Sequence, residues 1–434
     1  MILTAEQKEI VQAIKNPWDR VIRVSGPAGS GKSAIVNELK QTGKQIMFAG
    51  PTGLAAAIIG GQTVHKAFGM PSLYPLDPTK KATIQRRSDQ SVRYFGGRRA
   101  EPLRKADWIV IDECSMLRCD HLDFVDSALQ HARGSSDPFG GCGMVLVGDD
   151  GQLPPVATDK DAEALTAYGY RSPFTIRESR SLQGVKTYNL TRIFRQRNQS
   201  EGEIFSRIRS GRQTDLDLRI INRSVGKAHV GSVTLTPYRA IAKRINAVAL
   251  QRLAGQIFEF RAAANKWSGD SPVDSIKLKR GCRVIVKANG SWTAFGDRQT
   301  VVNGDQGTFY GLDKFGRLII ELDRGVTINL PPKTWKQYRW RIKNDKLVEE
   351  ESGSFKAYPV VLGWAMTIHS SQGSTLRRVF IDLPDKDPFC PALSYVALSR
   401  VESLAGLRLN RPLKHRDIWS TISIDKQPDQ SELF

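Results

Sequence analysis

Gly26-Pro27-Ala28-Gly29-Ser30-Gly31-Lys32-Ser33 fits the pattern G-x-x-x-x-G-K-[ST]. The apolar run Val21 to Val24 ahead of it reads as a buried strand, and Ala34 to Leu39 behind it continues at helical spacing. Strand, glycine loop and helix in that order make a phosphate cradle. The glycines let successive N–H groups turn inward, and the helix adds the positive end of its dipole. In such a loop Gly26, Ala28, Gly29, Ser30 and Gly31 wrap the phosphates, Lys32 reaches the outer ones, and Ser33 ligates Mg2+. The alternative is a plain glycine turn, and the stretches downstream argue against it.

Trp108-Ile109-Val110-Ile111 is a second buried-strand run and ends in Asp112-Glu113. An acidic pair there suits Asp112 to Mg2+ and Glu113 to polarising the attacking water. Gly143 to Val147 is a third such strand, followed by Gly148-Asp149-Asp150-Gly151-Gln152-Leu153-Pro154-Pro155, where the Gln152 amide is placed to sense a γ-phosphate. Lys44 to Ala49 reads as a further strand. The polar, glycine-rich segments after it bring Thr52, Thr63 and His65 to a strand's carboxyl end, where open α/β sheets bind ligands. A lone histidine such as His65 also suits a structural role. Upstream, Thr4 and Gln7 have the spacing of a capping box; Gln7 is either that cap or an amide recognising adenine.

Between these elements, 70–106 has a different texture. Lys80 to Lys105 carries nine Lys and Arg residues, with Tyr94 and Phe95 among them. Aromatics among cations suggest an arm that touches nucleic-acid backbone and bases. Arg192, Arg195 and Arg197 are candidates to reach a triphosphate from a second domain, which begins with the strand Val233 to Thr236 and a helix over 240–250. From 257 to 355 short β runs punctuated by Gly304, Gly307, Gly311, Gly316 and Gly325 predict a small β-barrel. Trp335, Tyr338 and Trp340 either stack bases or staple that insert down. The α/β texture then returns with Thr367-Ile368-His369-Ser370-Ser371-Gln372-Gly373, and a helix carries Arg400.

The 434 residues hold 64 Lys and Arg against 44 Asp and Glu, a net charge of +20. Such a balance calls for a polyanionic partner, nucleic acid or an anionic membrane surface. No apolar run reaches the roughly 18 residues that a spanning helix needs, so nothing is expected to span a bilayer; of the two polyanions, nucleic acid is the expected partner, and no membrane. Residues 1–16 lack the basic start and apolar block of a signal peptide. Five scattered cysteines, never C-x-x-C, fit a reducing compartment better than a disulfide framework.

The ordered set GPAGSGKS (26–33), GGQTVHKAFG (60–69), IDECSM (111–116), GDDGQLPPV (148–156), TIHSSQGSTL (367–376) and YVALSRV (395–401) resembles superfamily 1B DNA helicases of the Pif1-like group, relatives of Dda and RecD-type enzymes. The likeness extends over about residues 3 to 410. It implies two RecA-like parallel-sheet domains: 1A over 1–69 and 107–180, and 2A over 181–256 and 356–434. A basic wedge-bearing insert 1B would occupy 70–106 and an SH3-like insert 2B 257–355. It implies an ATP- and Mg2+-dependent helicase that moves 5′ to 3′ on single-stranded DNA and unwinds duplex or forked DNA in replication, repair or recombination. The alternative is an ATP-driven translocase or remodelling subunit that does not unwind alone. Gln7, Gln372 and Gly373 would join the nucleotide site. Lys32, Asp112, Glu113 and Gln152 would act in catalysis, with Arg195 and Arg400 as arginine fingers. Thr52, Thr63, His65, Phe68, Tyr94, Phe95, Thr236, His369 and Ser371 would line the DNA track. A monomer, or weak self-association on DNA, is expected, in the cytoplasm near the nucleoid or as a virus-encoded protein in a host cytoplasm. Two positions depart from the group: Asp150-Gly151 where two aromatics often precede the glutamine, and Ser370 where a lysine often stands. Both put DNA grip and coupling in question.

Overall fold

The computed structural model describes residues 3–15, 20–52, 55–56, 59–70, 75–77, 83–85, 92–94, 100–155, 157–172, 175–192, 198–267, 271, 273, 275–294, 297–343 and 346–422. Six parallel strands form the first sheet, in the order Gln62–Thr63, Ile46–Gly50, Trp108–Ile111, Gly143–Gly148, Val21–Ser25 and Thr187–Asn189. Strands covered on both faces have no reason to alternate polar and apolar residues. Ile46–Gly50, Trp108–Ile111 and Gly143–Gly148 are accordingly buried at every position. One apolar cluster, with Ile22, Ile35, Phe48 and Val145, covers one face. Another, with Phe68, Ile109, Leu146 and the helix Cys119–Arg133, covers the other.

The order of the strands positions the site. The strands ending at Ile111, Gly148 and Ser25 are neighbours, so the loops after them emerge side by side at one sheet edge, where ligands bind in open α/β folds. The second sheet is also parallel, in the order Ala365–Thr367, Val233–Thr236, Val379–Ile381 and Leu407–Leu409. The fold class is thus α/β with two parallel-sheet units.

Two expected boundaries move. Ala100, Leu103 and Ala106 are buried in the core of the first unit, so the basic insert gives way by residue 100 rather than 107. Within the insert Thr83–Gln85 pairs antiparallel with Val92–Tyr94, and Leu76 packs on the first unit's core with its N–H on Asp120 Oδ2 at 2.7 Å. The Tyr94 side chain, Phe95, Arg195 and Arg197 lie outside the described residues. The β insert does not stop at 355. Val360–Leu362 pairs antiparallel with Arg283–Val286 and completes a five-stranded sheet with Gln306–Leu312, Leu318–Leu322 and Val326–Leu330.

The insert also throws out a long hairpin, Lys333–Lys343 with Lys346–Ala357. Its tip docks on the first unit: Trp340 and Leu347 pack against that unit's core, and the Leu347 N–H donates to Gln45 Oε1 at 2.9 Å. Trp335 is buried against Phe355 in the hairpin's own core. Both tryptophans therefore staple the insert, the second of the two readings open from sequence.

Candidate nucleotide and nucleic-acid sites

Gly29 and Gly31 both hold φ at 82°, a conformation that costs an L side chain energy and that bends the loop 26–33 back on itself. Lys32 Nζ donates to Gly26 O at 2.7 Å and Pro27 O at 3.0 Å. The Ser30 hydroxyl is buried with no partner among the described residues. Gln7 is a cap in fact: its N–H meets Thr4 Oγ1 and its Oε1 accepts from the Thr4 N–H. Its amide nitrogen also donates to Gly31 O at 3.2 Å, tying the first helix to the loop. The Ala28 N–H donates at 3.3 Å to the hydroxyl oxygen of Tyr395, from the second unit.

Glu113 stands at φ 52°, the left-handed region that a branchless glycine tolerates and a glutamate rarely enters. The turn carries its carboxylate into the cleft, where Oε2 is enclosed and has no hydrogen-bond partner among the described residues. Burial, then the neighbouring Asp112 charge, pushes its carboxyl up to about 7. Burial also raises Asp112, against the Glu113 N–H bonded to its Oδ1 and the charges of Lys32 and Lys40. Two buried acids with raised carboxyl pKa values beside Lys32 are a donor set that a hydrated divalent cation would suit. Mg2+ typically takes only one or two carboxylates, with phosphates and water filling the rest. Asp112 and the exposed hydroxyl of Ser33 fit that demand.

Across the cleft Arg400 is fully buried. Its guanidinium donates to Val396 O at 2.8 Å, to Ser399 Oγ at 2.7 Å, and at 3.4 Å to Ser371 O and Ser374 O. Its charge acts on Glu113 from the other unit. The same 370–374 loop is reached from the β insert. Lys287 Nζ donates to Ser370 O and Ser374 Oγ, both at 3.1 Å. Burial, then the Arg400 charge, brings that ammonium down to about 8. An ammonium from the β insert thus stands at Ser370, where the group often has its own lysine.

A polar chain crosses between the units here. Arg209 Nε meets Asp149 Oδ1 at 2.6 Å, Gln152 Nε2 donates to Asp149 Oδ2 at 3.0 Å, and Gln372 Nε2 donates to Gln152 Oε1 at 2.8 Å. Gly151 is glycine because Arg209 passes over it: a Cβ there would lie 2.3 Å from Arg209 Cγ. Asp150, the other departure, is buried and pairs with Arg23 of the central strand and with Arg177. Gly151 thus lies under the contact between the units, while the Asp150 side chain is held within the first unit by Arg23, Arg177 and Ser25. Arg23, Arg209 and Lys287 were not foreseen. A charged residue inside the apolar run Val21 to Val24 was the one available signal, and it pointed to Arg23.

The expected DNA-track residues divide. Thr52 and Thr63 sit on the surface side of the first sheet, their hydroxyls accepting from the N–H groups of Ala55 and Lys66 as turn and helix caps. His65 stacks edge-on against His121 with ring centroids 5.0 Å apart. His369 is exposed. Phe68 is corrected: it is wholly buried in the core of the first unit and has no face to offer a base. The side chains of Thr236 and Ser371 are likewise buried. The Ser371 hydroxyl donates to Ile368 O and shapes the loop, while the Thr236 hydroxyl has no partner among the described residues.

Comparison with known proteins agrees with this arrangement. Residues 2–210 match the PIF1-like helicase family. Over 94% of the chain, similarity runs to the ATP-dependent DNA helicase Pif1 of Bdellovibrio bacteriovorus (28% identity, 87% of that protein) and to human PIF1 (29% identity). The chain spans 60% of the human protein's length. Unliganded Pif1 from Bacteroides superposes with a TM-score of 0.84 at 30% identity, covering 98% of this chain and 96% of that one. The Bacteroides protein in complex with ADP-AlF3 and single-stranded DNA gives 0.64.

Proposed function

The chain belongs to the PIF1-like helicase family, and from that premise we propose that it is an ATP-dependent DNA helicase moving 5′ to 3′ on single-stranded DNA and opening duplex or forked DNA ahead of it. It works as a monomer or in weak self-association on the strand. The observation that carries this reading is the meeting of the two α/β units at the loop 26–33 and the acidic pair, where the Ala28 N–H bonds the Tyr395 hydroxyl and Gln372 bonds Gln152. ATP seats its phosphates on the backbone N–H groups of that loop. Lys32 exchanges its two carbonyl partners for phosphate oxygens. Mg2+, held by Ser33 and Asp112, would neutralise charge between the outer phosphates. Glu113 accepts a proton from the attacking water as the bond to ADP breaks, and Arg400 meets the charge that builds on the transferred phosphoryl group.

The Gln372–Gln152–Asp149–Arg209 chain supports coupling between this chemistry and motion. A change at the phosphates pulls both units through one connected set of hydrogen bonds. With DNA lying across both units, closing and opening the cleft advances the strand. Grip through phosphates suits a chain of charge +20.

The test is unwinding of a duplex with either a 5′ or a 3′ single-stranded tail, with Lys32→Ala as control. Unwinding from the 5′ tail alone is expected. Unwinding from the 3′ tail alone would overturn the polarity. DNA-stimulated hydrolysis without unwinding would favour the translocase reading.

A further inference from the structure

Three aromatic rings stand in file on the surface of the second α/β unit. Tyr238 and Phe389 have ring centroids 6.0 Å apart; Phe389 and His369 lie 6.4 Å apart with planes only 9° from parallel. Phe389 is 53% exposed and Tyr238 40%, and His369 is exposed as well. Large rings left in water normally mark a surface that something else covers.

These rings come from three separate loops. Tyr238 follows the strand Val233–Thr236, His369 follows Ala365–Thr367, and Phe389 ends the loop after Val379–Ile381. Those strands are adjacent and parallel, so the file runs along the carboxyl edge of the second sheet. The loop bearing Phe389 is anchored at its start, over residues 383–385. Asn410 bonds both Leu383 N–H and Leu383 O at 2.9 Å, Arg411 Nε donates to Pro384 O at 3.1 Å, and Arg416 Nη2 donates to Asp385 O at 3.2 Å. Lys386 and Arg239 are exposed beside the file in sequence, as are Asp385 and Asp387, the latter 3.5 Å from Arg416 Nε.

We propose that Tyr238, Phe389 and His369 form a base-stacking platform for single-stranded nucleic acid, with Phe389 at its centre. The reading rests on the proposed helicase function and names a contact to the bases rather than to the phosphates. A narrow file suits a strand better than the broad, contiguous apolar patch of a protein interface. Every base offers a π-face, so the platform grips without reading sequence.

The experiment compares wild type, Phe389→Leu and Phe389→Trp for binding of a fluorescent oligothymidylate and of the same strand with abasic sites, over a range of salt. Thermal unfolding checks that each variant is folded. Stacking of one or two bases predicts that Phe389→Leu weakens binding on the order of tenfold or more, and that Phe389→Trp retains it. The salt slope should stay unchanged in both, because no phosphate contact is lost. Abasic sites should weaken wild type but add little to Phe389→Leu. Tyr238→Leu should behave like Phe389→Leu. Equal binding by wild type and Phe389→Leu, or equal losses on normal and abasic strands, would overturn the platform. If wild type itself binds no single strand, the helicase reading fails instead.

Discussion

Replacing Glu113 with Gln should make the protein inactive and, above neutral pH, more stable. The carboxyl is pushed from 4.5 up to about 7, chiefly by burial. At 1.36 kcal/mol per pKa unit that shift corresponds to about 3 kcal/mol. The sign follows from linkage. A raised folded pKa gives stability that is complete below the unfolded value and lost as pH climbs through the folded one. Wild type therefore gives up about 3 kcal/mol between pH 4.5 and pH 8 on account of this group. Glu113→Gln has no proton to lose and escapes that penalty. The stability difference between variant and wild type should shift by about 3 kcal/mol in the variant's favour across that window, read by urea unfolding at closely spaced pH values without nucleotide. The same substitution should lower DNA-stimulated turnover by roughly a hundredfold or more, because the water loses its proton acceptor. A stability gap that stays flat from pH 4.5 to 8 would show that Glu113 is not held protonated by its surroundings. The strained φ of 52° would then need another explanation.

Lys32→Ala should abolish ATP turnover while single-strand binding persists, measured by phosphate release and fluorescence anisotropy on the same preparation. Loss of both in a folded variant would contradict the separation of the two sites. Arg400→Lys keeps a buried cation but loses the fork that binds four acceptors; hydrolysis should fall by at least about a hundredfold, with ATP binding changed far less. Lys287 has its pKa lowered to about 8, so its charged form is the costly one in the folded state. Stability should rise with pH from about 8 to the ordinary lysine value, and Lys287→Met should flatten that rise in urea unfolding between pH 7.5 and 10.5.

The phosphate loop, the acidic pair and the Gly148–Gln152 loop were legible because each is a local solution to a local demand. The loop bends at glycines of fixed spacing, with φ at 82° at Gly29 and Gly31, and the acidic pair directly follows a fully buried strand. The parallel order of the strands then joins the three loops without further instruction. Phe68 misled for a physical reason. Its neighbours in sequence face the ligand edge, but the short helix Val64–Phe68 turns its last residue under the sheet. No periodicity in five residues could show that.

The contacts between units were the illegible part, and distance along the chain explains why. Gln152 and Gln372 are separated by 220 positions and Asp149 and Arg209 by 60. No spacing rule connects such pairs: from sequence Gln152 and Gln372 each point toward the nucleotide, and neither reading shows that they bond to one another. The two departures from the expected motif carried the information instead. An aspartate and a glycine where aromatics often stand look like weakened contacts when only the loop is considered. With Arg23 and Arg209 in place they become requirements: Asp150 supplies the counter-charge for an arginine in a central strand, and Gly151 leaves room for the arginine that bridges the two units. Ser370 follows the same logic, since Lys287 of the β insert reaches the loop where the group often carries a lysine. A motif residue can change when its partner elsewhere changes with it. The pairs Arg23 with Asp150, Arg209 with Gly151, and Lys287 with Ser370 are therefore the units in which this site is to be compared with its relatives, not the single motif positions.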